Sequence, residues 1–399
     1  MAGALNGIKV LDLTHHIAGS YCTKLLADFG AQVTKIERPG SGDPARSMGP
    51  FTGDDPHPDK GLPFLYLNTN KRSVTLDLKS ATGQKILRRL ADEVDLIVEN
   101  FRPRTLPSLG LTYQTFSATN PSVVMVSISN FGQTGPYRDY EATDLVEYAL
   151  GGIQYIFGDN DREPLKHGFN QAQFKAGADA ASAALIALFH RAMTGTGQWI
   201  DVSIQECIAT GLRDTTSAFA YTGAVKWRRP SEAGELPRSP VATKDGYIVP
   251  IAFGGVDWDA TVDFLESDEL AHERFATAEG RLENAADLDR ILRDAFAKYG
   301  KEDLFYRANR RRGLIYGIVL DAAELHKNPQ YEHREYFVEI DHPVSGKADY
   351  PGAPFGMSKT PWSVETPAPT LGQHNIEIYV EQLGMSKEEL GQLVAAGVV

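Results

Sequence analysis

The sequence predicts an α/β fold, a mainly parallel, doubly wound sheet joined to a smaller α+β domain. Three observations carry this expectation. Short apolar runs that end in loops alternate with helix-spaced segments through the first half of the chain. The texture changes near residue 225, where a hairpin signal gives way to charged helices. A Pro/Gly-rich stretch, 342–372, then runs extended over a surface to a last helix.

IKVLDLT (8–14) is a short apolar run leading into a loop that holds Gly19. YCTKLLADFG (21–30) has helical spacing with Gly30 as its C-cap, and AQVTKIE (31–37) is a second strand. SVTLDLK (73–79), a helix opened by Ser80, VDLIVEN (94–100) and PSVVMVSISNF (121–131) continue the alternation. Ligands of such sheets sit at the carboxyl ends of the strands, which places THHIAGS, IERPGSGD and ENFRPR along one rim. The Ala/Leu-rich helix at about 175–193 is apolar on all sides and expected to be buried. TGTGQ turns it into the strand WIDVSI. VATKDGYIVPIAF is a hairpin turning at Asp245-Gly246, and the closing MSKEELGQLVAAG carries a capping box of Ser386 and Glu389.

Composition narrows the function. The formal net charge is -12, which disfavours generic binding to nucleic acid or anionic membranes, so an anionic ligand needs a local cluster of cations. The two cysteines, Cys22 and Cys207, form no CxxC, which excludes a disulfide framework and a cysteine zinc site. The opening MAGALNGIKVLDLTHH has no signal-peptide pattern and no apolar run reaches transmembrane length; the expectation is a soluble, cytoplasmic protein.

Neither GxGxxG nor a P-loop is present. Arg38, the pair Lys71-Arg72, Arg102 and Arg104 stand near successive strands, either as a phosphate grip or as solvated surface charge. His15 and His16 have no partners at metal spacing, so no metal site is expected. Gly254 and Gly255 make a flexible substrate-loop candidate or an ordinary turn. Asp144 is either a catalytic acid or a helix cap. Unaided, these residues describe a soluble α/β protein with a basic rim for a phosphate-bearing ligand.

The motifs as strings go further. GIKVLDLTHHIAGSYCTKLLADFGAQVTKIERPGSGDPAR, LNTNKRSVTLDLKS, VDLIVENFRPRTLPSLGL, HRAMTGTGQWIDVSIQE and PAPTLGQHN, in this order, closely resemble class III coenzyme A-transferases and the related 2-methylacyl-CoA racemases. The resemblance implies a Rossmann-like large domain built from both chain ends, an inserted small domain and an interlocked-ring dimer. The expected boundaries are 1–224, 225–325 and 326–399, the last part completing the large domain. It implies coenzyme A or an acyl-CoA as substrate, with no tightly bound cofactor. His15, Arg38, Lys71, Arg72, Asn100 and Phe101 match family positions at the CoA site. Arg104 stands where the family has Gly, and Ser108 where it has a basic residue, so the adenosine-phosphate contacts are expected to be rearranged.

Family chemistry depends on an aspartate four residues before the Gly that opens the long helix. Here that Gly is Gly177, fixed by the spacing to TGTGQ, and the preceding position holds Gln173. A primary amide is uncharged and does not attack a thioester. Racemases carry Gly-His-Asp where this chain has Ala142-Thr143-Asp144, so their base histidine is missing too; Asp144 matches an auxiliary acid. The resemblance therefore implies the non-catalytic subunit of a heteromer whose homologous partner keeps the Asp. The two-subunit succinyl-CoA:(R)-benzylsuccinate transferases of toluene degradation have this arrangement. Two alternatives stay open: an active homodimer that recruits Asp144 or Asp179, and a CoA-binding regulatory protein without turnover.

Overall fold

The computed structural model describes residues 3–159, 161–228, 239–251, 258–311 and 314–399; Gly254 and Gly255 lie outside the described residues. The chain divides into two units. One comprises the residues up to Phe157 with Pro164–Lys226 and Glu335–Val399, the other Gly158–Glu163 with Trp227–Arg334.

The first unit is built on six strands: β1 (Lys9–Asp12), β2 (Gln32–Glu37), β3 (Lys71–Thr75), β4 (Leu96–Glu99), β5 (Val124–Ser129) and β6 (Trp199–Ser203). All pair parallel, in the order β3-β2-β1-β4-β5-β6. Helices cover both faces, which is why the central strands read as apolar runs instead of alternating. The order reverses between β1 and β4, so the loops after these two strands diverge and leave a crevice at their carboxyl ends.

Strand β3 departs from the sequence reading. It starts at Lys71 rather than 73, and the register pairs Lys71 with Val33 and Thr75 with Glu37. Lys71 and Arg72 therefore occupy the amino end of β3, far from the carboxyl-end rim. The outer edge of β3 is occupied by the PAPTLGQHN segment. His374 accepts the Ser73 N–H through Nδ1 at 3.1 Å, and Asn375 accepts the Thr75 N–H at 2.9 Å. Tyr379 donates its hydroxyl to the Thr75 carbonyl at 2.7 Å, so the edge has no free ladder there.

The long helix spans Gln171–Thr194. It begins at 171 rather than near 175, which puts Gln173 inside its first turn. Ala172, Ala176, Gly177, Ala180, Ala184 and Ala187 face the core. A side chain at Gly177 would come within 2.5 Å of the Ala18 carbonyl oxygen, so only glycine permits this approach to the Ala18–Asp28 helix. The other face is open within this chain: Ile186 and Phe189 are 71% exposed and Met193 73%. The expected all-sided burial is thus not met by the chain's own residues.

The second unit carries an antiparallel sheet, β7 (Val241–Thr243), β8 (Gly246–Ile251) and β9 (Ile315–Ile318), in that order. Thr243 pairs with Gly246, so the hairpin turns on Lys244-Asp245, one position before the expected dipeptide. Val241, Ile248 and Tyr316 pack with Phe264, Phe275 and Phe296 from helices of the same unit. Among the described residues, no helix is long and apolar enough to cross a membrane.

Candidate functional site

A cavity of about 950 Å³ opens in the first unit beyond the carboxyl ends of β4 and β5. Its wall begins at the two diverging loops. Asn100 accepts the His15 N–H at 2.8 Å and donates its amide to the His15 carbonyl at 2.7 Å, locking the loops together. The His15 ring meets Phe101 edge-on, with centroids 4.8 Å apart. Burial brings the His15 imidazole down to about 4, so the ring is neutral at physiological pH. Asn100 and Phe101 line the cavity. His16, not His15, supplies the neighbouring histidine surface.

Arginines gather at the mouth. Arg104 grips Asp139 with two hydrogen bonds of 2.9 and 2.6 Å, Arg102 pairs with Glu141 at 2.7 Å, and Arg138 reaches Asp139 at 3.2 Å. All three arginines line the cavity, as does Ser108. Arg38 stands exposed at the end of β2 and is not part of the lining.

The expectation for Lys71 and Arg72 needs correction. The Lys71 ammonium is fully buried and donates to Asp12 at 3.1 Å, Asn68 and the Ser20 carbonyl at 2.9 Å, and Thr23 at 2.8 Å. Its donors are spent inside the protein. Arg72 binds Glu377 at 3.1 Å and Thr34 at 3.0 Å on the other side of the sheet edge. Lys71 is withdrawn by its burial and by these internal partners, Arg72 by its pairing with Glu377 and Thr34.

The inner end of the cavity holds Gln173 and Asp144. Asp144 is a cap, though not of the helix it begins. Its Oδ1 accepts the Ala172 N–H at 2.9 Å, tying down the first turn of the Gln171–Thr194 helix, whose own N-cap residue makes no side-chain bond. Lys166 lies 3.0 Å from its second oxygen. Phe174, the next residue, packs edge-on against Tyr21 at 4.9 Å, while Gln173 lines the cavity.

Gln173 donates its amide to both oxygens of Glu147, at 2.9 and 2.8 Å. Glu147 is completely buried. The Asn130 amide, oriented so that its oxygen accepts the Ala142 N–H at 3.0 Å, donates to Glu147 at 3.2 Å. Burial pushes the Glu147 carboxyl up to about 7; the Gln173 bond lowers it and the Asp144 charge raises it. Asp179 ion-pairs with Lys175 at 2.7 Å further along the helix and does not line the cavity.

The structure thus brings Asn100, Phe101, Arg104, Asp144 and Gln173 to one cavity, with His15 behind its wall. It leaves Arg38, Lys71 and Arg72 elsewhere. Sequence reasoning missed Asn130, Arg138 and Glu147. For Glu147 a signal existed: it lies three residues after Asp144 on one helix, a spacing that puts two carboxylates on the same face.

The model of CoA-transferase family III matches residues 5–375. The succinyl-CoA–D-citramalate CoA-transferase of Chloroflexus aurantiacus is 34% identical over 99% of this chain and 98% of its own length. The succinyl-CoA:(R)-benzylsuccinate CoA-transferase subunit BbsE of Thauera aromatica is 32% identical, over 98% and 97% respectively. A crystal structure of a CAIB/BAIF family protein from Brucella suis superposes with a TM-score of 0.86 at 29% identity, covering 96% of this chain and all of that one. With a parallel six-stranded sheet of the same fold and a match along nearly its whole length, the chain belongs to CoA-transferase family III.

Proposed function

We propose that this chain is the non-nucleophilic subunit of a heteromeric class III CoA-transferase, assembled with a homologous chain that carries aspartate at the position of Gln173. The observation that carries this reading is the Gln173 amide. It stands at the inner end of the cavity with both of its N–H···O contacts directed at Glu147, and it neither ionises nor forms an anhydride. The other carboxylates offer no ready substitute. Asp144 is engaged by Ala172 and Lys166, and Asp179 lies off the cavity.

A partner chain is further supported by the open face of the long helix, where Ile186, Phe189 and Met193 form an apolar stripe of the kind that marks an interface. The interlocked arrangement of the family would cover it. In this reading the cavity still receives an acyl-CoA. Asn100 and Phe101 line its path, and the arginines at the mouth meet the nucleotide phosphates. Both named relatives take succinyl-CoA as donor and pass CoA to a dicarboxylic acid. We assign succinyl-CoA as donor and a dicarboxylate as acceptor, with (R)-benzylsuccinate the narrowest candidate.

The test is covalent trapping. The isolated chain is incubated with succinyl-CoA, treated with borohydride or hydroxylamine, and examined by intact mass. No adduct is expected. Co-expression with a homologue carrying the aspartate should give CoA exchange, with the adduct on that homologue. An adduct on the isolated chain overturns the proposal in favour of an active homodimer. No exchange with any such homologue favours a regulatory CoA-binding role.

A further inference from the structure

We infer that Gln173 and Glu147 are an exchanged pair: the carboxylate that the nucleophile position lacks has moved across one hydrogen bond to Glu147, and the amide at 173 is held there by that anion. This rests on the proposed non-nucleophilic role of the chain and says what maintains it. Four observations converge. Glu147 is completely buried, yet among the described residues no cation pairs with it. Its partners are two amides, Gln173 from the long helix and Asn130 from the end of β5. The ionisable group acting on it is Asp144 on its own helix, itself paired with Lys166. Finally, Gln173 fronts the cavity while Glu147 sits behind it.

The consequence is a positioning role for Glu147. A carboxylate placed at 173 alone would face a second carboxylate a few ångströms away in a water-poor pocket. Two such groups share a proton instead of both ionising, and the protonated one is no nucleophile. Substituting Gln173 with Asp is therefore expected to fail unless Glu147 becomes an amide at the same time. With both changes the bonding is conserved. The new amide at 147 donates to the new carboxylate, and its oxygen accepts from Asn130.

The experiment compares the wild type with Gln173→Asp, Glu147→Gln and the double variant, each given succinyl-CoA and trapped as above. In the double variant the introduced carboxylate attacks the thioester carbonyl and expels CoA thiolate. The thiolate then attacks the side-chain carbonyl of the anhydride, releasing succinate and leaving the trappable enzyme thioester. The expected result is an adduct in the double variant, about tenfold less in Gln173→Asp at pH 7, and none in the other two. Equal labelling of the single and double variants overturns the pairing but leaves the proposed function intact. Labelling of the wild type instead overturns the proposed function. A double variant that binds CoA like the wild type and takes no label also overturns the pairing.

An isosteric cycle guards against a folding failure. Gln173→Glu should melt below the wild type at pH 7 and recover at pH 5, whereas Gln173→Glu with Glu147→Gln should melt like the wild type at both. Equal melting of these two variants at pH 7 refutes the exchange.

Discussion

Two buried carboxylates of the same unit are satisfied in opposite ways. Asp12, at the end of β1, receives the N–H and hydroxyl of Thr14, the hydroxyl of Thr23 and the ammonium of Lys71, with Lys35 at 3.9 Å. Burial works to raise it, but the two ammonium groups and the hydroxyls outweigh burial and hold Asp12 well below the usual carboxylate range. Glu147 is buried as deeply and, among the described residues, receives only amides, so burial wins and the group rests near 7. Cations make a buried acid a fixed part of the architecture. Amides leave its charge adjustable, and the adjustable one lies behind the cavity.

The largest expected effect breaks the fixed cluster. Lys71→Met strips Asp12 of the cation at 3.1 Å and leaves a buried anion with Lys35 at 3.9 Å. The expected loss is about 3–5 kcal/mol of unfolding free energy, read in urea. CoA affinity of the folded fraction should not change. Normal stability with lost CoA binding would return Lys71 to the ligand site where the family resemblance put it.

The next effect tests the adjustable group. Glu147 has a folded value raised to about 7 from an ordinary 4.5. Its contribution to stability is therefore fully present below about 4.5 and is lost as pH rises through 7. The wild type should fall relative to Glu147→Gln by about 3 kcal/mol between pH 4.5 and 8, at no more than about 1.4 kcal/mol per pH unit. Glu99, in the same unit, is also pushed up to about 7 by burial, so only the difference between wild type and variant isolates Glu147. A difference that stays flat with pH would mean that burial does not raise Glu147 above its ordinary carboxylate value.

How these groups were readable from sequence differs in the same way. The sheet order rests on apolar runs, and buried parallel strands give that signal directly. Strand β3 was misplaced because KRS looks like a loop; its lysine is buried through partners distant in sequence, Asp12, Ser20 and Thr23. Gln173 was legible through its register with Gly177 and TGTGQ, a covalent ruler. For Glu147 the sequence offered only its i,i+3 spacing from Asp144; its pairing with Gln173 is made by the fold alone. The long helix reads as apolar on all sides whether its own chain or a partner covers it, so the sequence could not say which residues the single chain leaves open.

The smallest effect on stability, and the sharpest on ligand, belongs to the rim. Arg104 takes the place of the family's glycine and is fully engaged by Asp139 at the surface, where solvent screens the pair. Arg104→Ala should leave the melting temperature unchanged. If Arg104 meets a phosphate of CoA, its removal should weaken CoA binding about tenfold, the worth of one charged hydrogen bond. Asp139→Asn sharpens the point, because it frees Arg104 and Arg138 together and should tighten CoA binding at low salt, with the gain shrinking as salt rises. Titration calorimetry at two ionic strengths reads both variants. Weaker binding in Arg104→Ala with no change in Asp139→Asn would mean that Asp139 orders the arginine for the ligand instead of competing with it. Unchanged affinity in both would remove the mouth from the CoA site and leave the interior alone to account for binding.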